Sequence, residues 1–161
     1  MEQSFSSHAI APAAVLRGEG AWSEALPRIQ ALCSKPLLLG RSTTTSRLRH
    51  QLMADLIAAG LSPASAELQF DCCEQDLTRL HLESQSCDAV IAAGGGKVLD
   101  AGKLLAHRLS LPCITVPLSA ATCAGWTALS NIYSSEGAFE GDVSLTRCPD
   151  LLVFDHSLVR Q

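Results

Sequence analysis

The sequence predicts an α/β fold in which a parallel β-sheet is covered by helices on both faces. Apolar runs of strand length alternate with stretches of helical period along the 161-residue chain. One run, Ala89-Val90-Ile91-Ala92-Ala93, is continuously apolar, as a strand buried on both faces must be. The segments between runs are roughly 10–15 residues long, enough for crossover helices between parallel strands.

Each element follows from local chemistry. Residues 13–17 form a short first strand, and residues 22–33 a helix with Ala25, Leu26, Ile29 and Leu32 at helical spacing. Pro36 breaks that helix, and Leu37-Leu38-Leu39 forms a buried strand ending at Gly40. The run Ser42 to Ser46 offers N-cap oxygens to a helix over 45–59, which stops at Gly60 and Pro63. A strand is expected over 67–70 and a polar amphipathic helix over 74–83. The strand at 88–93 runs into Gly94-Gly95-Gly96 and a helix over 97–109, whose Val98, Leu105 and Leu109 share a face with Gly102 and Ala106. Pro112 ends that helix before a strand at 113–116. A β-hairpin is expected over 128–139, turning at Ser135-Glu136-Gly137, and a last strand over 151–154. There is no internal repeat, low-complexity stretch or linker.

Composition excludes several functions. Apolar residues make up 47% and charged residues 17%, the balance of a folded chain rather than a disordered one. The net charge is -4 and the twelve Lys and Arg are scattered, so neither nucleic acid nor a membrane surface is an expected partner. Glu2 stands where a secretory leader carries positive charge, and Pro12 interrupts the apolar stretch over 9–16. No apolar run approaches the ~18 residues of a membrane span. The expected location is the cytoplasm. The seven cysteines form no C-x-x-C pair, and in a reducing compartment they read as small buried hydrophobes. Their spacing fits no zinc pattern, and the five histidines form neither H-x3-H nor H-E-x-x-H. No residue is assigned as a metal ligand or as catalytic.

Two segments carry chemistry. The first is Gly94-Gly95-Gly96-Lys97, between a buried strand and a helix. Consecutive glycines let a phosphate approach the backbone, the helix start presents free N–H groups, and Lys97 adds a cation. The segment matches neither G-x-G-x-x-G, since Leu99 replaces the third glycine, nor a Walker A loop. Two readings therefore stand: a pyrophosphate cradle, or a tight turn with Lys97 solvated and Asp100 and Lys103 forming a surface pair. The second segment, residues 115–130, is rich in small residues and suits either a loop against a flat ligand or a loop over the core.

Together the segments resemble a known family. G-G-G-K-x-x-D-x-x-K over 94–103, a strand, then P-x-x-A-[AS]-T-x-A-x-x-[ST]-A-L-S-x-I-Y over 117–133 is similar to the glycerol dehydrogenase and iron-containing alcohol dehydrogenase superfamily. The start at Ala14–Gly20 and the tail Cys148-Pro149-Asp150-Leu151-Leu152-Val153-Phe154-Asp155 fit it as well, so the resemblance covers essentially the whole chain. It implies a Rossmann-like nucleotide-binding domain over 1–161, of the dehydroquinate synthase-like N-terminal type, with a β-hairpin insertion. It implies NAD or NADP as cofactor and a small alcohol, polyol or 2-hydroxy acid as substrate. In full-length members a helical C-terminal domain supplies Asp and His ligands to zinc or iron, which polarises the substrate hydroxyl. Those ligands lie beyond the position matching Gln161, so the chain alone is expected to be inactive. Apolar surface left uncovered at the docking face would favour self-association, and a homo-oligomer is possible.

Carried over by position, Gly95, Gly96 and Lys97 match the pyrophosphate turn and Asp100 the cofactor-contacting acid. Leu118 and Ser119 match the loop on the adenosine side, and Thr127, Leu129 and Tyr133 the nicotinamide-ribose side. Three departures bear on specificity. Leu118 stands where the family often has Thr. Cys123 stands where glycerol dehydrogenases have an Asp that holds substrate hydroxyls, and the form A-T-C-A-x-W resembles 2-hydroxycarboxylate dehydrogenases. Cys123 is read as a small residue shaping the pocket, with a nucleophile as the alternative. Arg41 stands where many members carry an acid for the ribose 2′-OH. It either attracts a 2′-phosphate, giving NADP preference, or marks a strand end in solvent. Two other functions compete with the dehydrogenase: a non-catalytic nucleotide-binding module or fragment, and a dehydroquinate synthase-like lyase domain. The A-T-C-A-G-W-x-A-L-S-x-I-Y stretch favours the dehydrogenase.

Overall fold

The computed structural model describes residues 10–160; Glu2, the first of the five histidines, the start of the apolar stretch over 9–16 and Gln161 lie outside them. The chain runs β1 (Ala14–Gly18), α1 (Ala21–Leu32), β2 (Pro36–Gly40), α2 (Ser46–Ala58), β3 (Ala64–Glu67), α3 (Glu74–Glu83), β4 (Ala89–Gly94), α4 (Gly96–Leu109), β5 (Cys113–Pro117), β6 (Leu129–Tyr133), β7 (Phe139–Ser144), β8 (Leu151–Asp155) and α5 (His156–Val159). Short 3-10 turns occupy Thr43–Thr45 and Ala124–Trp126.

Six strands form one sheet in the order β1-β8-β5-β4-β2-β3, with every neighbouring pair parallel. β6 and β7 form a separate antiparallel hairpin. The alternation of side chains along β4 divides the core in two. Ala89, Ile91 and Ala93 face α1, α2 and α5, in a cluster with Ile29, Leu52, Leu56 and Leu158. Val90 and Ala92 face α3 and α4, in a cluster with Leu77, Leu80, Leu99 and Leu105. Helices therefore cover both faces, and continuous apolar runs are what that double burial requires. Among the described residues no helix is long and apolar enough to cross a membrane.

The chain leaves β2 towards the β3 edge and returns on the opposite side of β2 as β4. Such a reversal opens a crevice at the carboxyl ends of the two strands, where ligands gather in parallel sheets.

Two boundaries differ from expectation. The strand expected over 67–70 lies at Ala64–Glu67, paired with Leu37–Gly40. Leu68 still donates to the Gly40 carbonyl at 2.9 Å, but the residues after it cannot continue the strand because their N–H groups are taken by α3: the Asp76 carboxylate accepts from Gln69, Phe70 and Asp71 at 3.2, 2.7 and 3.1 Å. The hairpin extends beyond the expected 128–139, since its second strand begins at Phe139 and runs to Ser144. One face of the hairpin meets the core, through Ile132, Tyr133 and Val143.

Candidate functional site

The turn between β4 and α4 lies in the crevice. Gly95 caps α4 with no side-chain hydrogen bond, so the first N–H groups of a 14-residue helix have no side-chain acceptor. The glycines differ in their reasons. A Cβ on Gly94 would lie 3.0 Å from Val98, and one on Gly96 would lie 3.1 Å from Thr122 Oγ1. A Cβ on Gly95 would meet nothing within 4 Å, so that face of the turn is open. An open glycine at a helix start can receive an anion such as a phosphate.

Two clefts flank the turn and share Gly96 and Lys97. One, of about 230 Å³, is lined by Arg41, Ser42 and Thr45 from the end of β2 and by Gly94–Val98. The other, of about 300 Å³, is bounded by Thr122, Cys123, Thr127, Asn131 and Tyr133 as well as the shared residues. The site residues expected from sequence therefore gather around one turn, except Leu118 and Ser119. The Leu118 side chain is buried in the α1/α2 core, and only its N–H reaches the turn, donating to the Gly94 carbonyl at 3.0 Å. Ser119 Oγ accepts from the Ala121 N–H at 3.2 Å in a local turn.

Lys97 is not simply solvated. Its ammonium pairs with the Asp71 carboxylate at 2.5 Å and lies 4.6 Å from the centre of the Tyr133 ring. Arg41 is not a bare surface cation either, since its guanidinium lies 3.9 Å from the same Asp71 oxygen. Asp100 and Lys103 do pair, at 3.2 Å, but inside the protein: they are 6% and 3% exposed. Burial pushes the Asp100 carboxyl above the usual carboxylate range, against the pull of the Lys103 charge and the Asn131 N–H. Asp100 also accepts from the Asn131 N–H at 3.2 Å, while its main-chain carbonyl accepts from Ser130 Oγ at 3.1 Å. Lys103 donates to the carbonyl and hydroxyl of Thr127, at 3.2 and 3.1 Å, and to the Leu129 carbonyl. The pair thus fastens β6 to α4 and holds Thr127 and Leu129 at the cleft.

Cys123 is exposed at the rim of the larger cleft, whereas Cys33, Cys72, Cys73, Cys113 and Cys148 are buried and Cys87 half-buried, all as free thiols. Sequence reasoning missed Asp71, Thr122 and Arg49. The buried Arg49 donates to the Ser42 carbonyl at 2.9 Å and pairs with Glu67 at 2.5 Å, shaping the loop after β2. Asp71 and Arg49 carry no local signal, because each acts on a residue distant in sequence or on a loop whose shape the sequence leaves open; Thr122 is the Thr of the motif over 117–133, and only its approach to Gly96 comes from the tertiary structure. Among the described residues no group of three or more His, Cys, Asp or Glu side chains converges to hold a metal ion.

Comparison with known proteins agrees with this architecture. The chain is 43% identical over 161 residues to an uncharacterised oxidoreductase of Synechocystis, covering 99% of this chain and 41% of that protein. It is 49% identical over 67 residues to hydroxycarboxylate dehydrogenase A of Escherichia coli, covering 41% of this chain and 18% of that one. The crystal structure of glycerol dehydrogenase from Schizosaccharomyces pombe superposes with a TM-score of 0.85 at 22% identity, over 99% of this chain and 41% of the other, which speaks to the fold. The chain thus spans less than half the length of each of these proteins. The family model for iron-containing alcohol dehydrogenases matches residues 12–156, from the first strand to the last, and the chain belongs to that family.

Proposed function

We propose that this chain is the dinucleotide-binding portion of an NAD(P)-dependent dehydrogenase that acts on an alcohol, a polyol or a 2-hydroxy acid. The observation that carries the reading is the open Gly95 turn at the reversal of strand order, flanked by the cations of Arg41 and Lys97. A pyrophosphate there would accept N–H donors from the start of α4 and face the Lys97 ammonium. The ribose and adenine would lie along the cleft of Arg41, Ser42 and Thr45, and the nicotinamide along the cleft of Thr127, Leu129 and Tyr133. When bound, the nicotinamide supplies the hydride acceptor or donor. The chain's own residues bind and orient it: Lys103 and Asp100 hold the β6 side of the cleft, and the apolar cluster under α4 keeps the turn rigid.

NADP is the preferred cofactor in this reading. Arg41 is 38% exposed and loosely paired, so its guanidinium is available to a 2′-phosphate. A 2-hydroxy acid is the favoured substrate class. Cys123 lines the larger cleft at the position where glycerol dehydrogenases carry an Asp, and a hydroxycarboxylate dehydrogenase is among the relatives. Turnover is assigned to a longer protein, in keeping with relatives more than twice this length.

Calorimetric titration of the chain with NADPH and NADH tests the proposal. The expected result is binding of NADPH that weakens on Lys97→Ala and weakens selectively on Arg41→Asp. A folded chain that binds neither nucleotide would overturn it.

A further inference from the structure

We propose that Asp71 is a positioning residue for Lys97 and, through it, for the phosphate groups that the reading above places at the Gly95 turn. The phosphate part of the inference rests on that reading. Asp71 is 2% exposed and belongs to neither β3 nor α3 but to the loop between them. One carboxylate oxygen accepts from the Cys72 N–H at 2.8 Å, which fixes the group's orientation. The other faces Lys97 at 2.5 Å and Arg41 at 3.9 Å. The hairpin tip closes over it, since a Cβ on Gly137 would stand 3.7 Å from that oxygen. The same loop holds the hairpin, as the Cys72 carbonyl accepts from the Tyr133 N–H at 2.9 Å.

A buried carboxylate must be compensated by charge or hydrogen bonds, and here two cations from the cleft wall compensate it. Both cations keep an outward face: side-chain exposure is 38% for Arg41 and 40% for Lys97. A free lysine samples many rotamers, and a ligand that fixes it must offset that lost entropy. Lys97 is held by Asp71 on one side and the Tyr133 ring on another, at the point where the two clefts join. Its ammonium is thereby set in place before a phosphate arrives.

The test uses the 161-residue chain and the variants Asp71→Asn, Lys97→Ala and the double variant. Asn keeps the shape and an acceptor for the Cys72 N–H but removes the charge. Tyr133 is the single tyrosine, so its ring resonances in an NMR spectrum report where Lys97 sits without any ligand. Asp71→Asn is expected to move them in the same direction as Lys97→Ala. In calorimetry, Asp71→Asn is expected to weaken NADPH binding about tenfold, and to have little further effect once Lys97 is Ala, because the two residues act as a unit. Tyr133 resonances unmoved by Asp71→Asn but moved by Lys97→Ala would overturn the proposal. Equal weakening in both backgrounds, or tighter binding in the single variant, would overturn it too. If the wild-type chain binds neither nucleotide, the cofactor reading and the phosphate part of this proposal both fail. The Tyr133 signal then still decides whether Asp71 holds Lys97.

Discussion

Gly102 of α4 lies directly against Ala92 of β4: a Cβ on Gly102 would sit 2.4 Å from the Ala92 Cβ. Both belong to the buried interface beneath the glycine turn, with a relative exposure of 0% at Ala92. The obstructing atom is a strand methyl and cannot swing aside. Gly102→Ala gains about 1 kcal/mol of helix propensity but overpacks the interface, at a cost of about 1–3 kcal/mol. The expected outcome is a net loss of about 1 kcal/mol, with larger losses for bulkier residues. Urea unfolding checks it, as a lower midpoint at unchanged slope.

Gly95 offers the converse case. Its φ of −84° is open to any residue, and a Cβ there meets no atom within 4 Å. Gly95→Ala is expected to leave stability within about 0.5 kcal/mol. The added methyl would occupy the space assigned to the phosphate in the proposed function, so NADPH affinity should fall at least about tenfold, or about 1.4 kcal/mol. Paired unfolding and calorimetric titrations check both halves; unchanged affinity would place the dinucleotide elsewhere.

Asp76 makes the edge of the sheet sensitive to acid. Burial alone would raise its carboxyl, but the Arg79 guanidinium and the N–H groups of Phe70 and Gln69 outweigh that and hold it below its ordinary 3.8. A carboxyl depressed on folding contributes stability above its unfolded value and loses it as pH falls through the folded value. Asp76→Asn should therefore cost about 2 kcal/mol at neutral pH, and the gap from wild type should narrow as the solution is acidified below 3.8. Thermal unfolding as a function of pH measures this, and a gap independent of pH would exclude the charge as the cause.

Thiol reactivity should single out Cys123. Burial, helped by the Asp88 charge, pushes the Cys33 thiol up to about 11. Burial and nearby carboxylates push Cys72 and Cys113 up to about 12. The thiolate is the reactive form, so these groups are inert in the folded chain. Cys123 is exposed at the cleft rim. A disulfide reagent should find one fast thiol, abolished by Cys123→Ser and slowed by bound dinucleotide. Several fast thiols in the folded chain would contradict this placement.

The sequence alone determined the order and type of the elements as far as β8, though not the short α5 after it, because strand burial and helical period are local patterns of apolar residues. Ala89–Ala93 had to be a doubly covered strand, and Gly94-Gly95-Gly96-Lys97 had to stand between strand and helix. The pairing of the turn with the segment 115–130 was also legible, through motif resemblance. Tertiary structure alone decided where β3 ends, since the N–H groups of Gln69, Phe70 and Asp71 beyond it are taken by the Asp76 carboxylate of the next helix. It also decided that Asp100 and Lys103 form a buried brace rather than a surface pair, because β6 folds over them from 24 or more residues away. Asp71 became visible only when β2, α4 and the hairpin met around it. Charge pairing acts through space between residues 26 to 30 positions apart, and no local pattern in the chain encodes such a meeting.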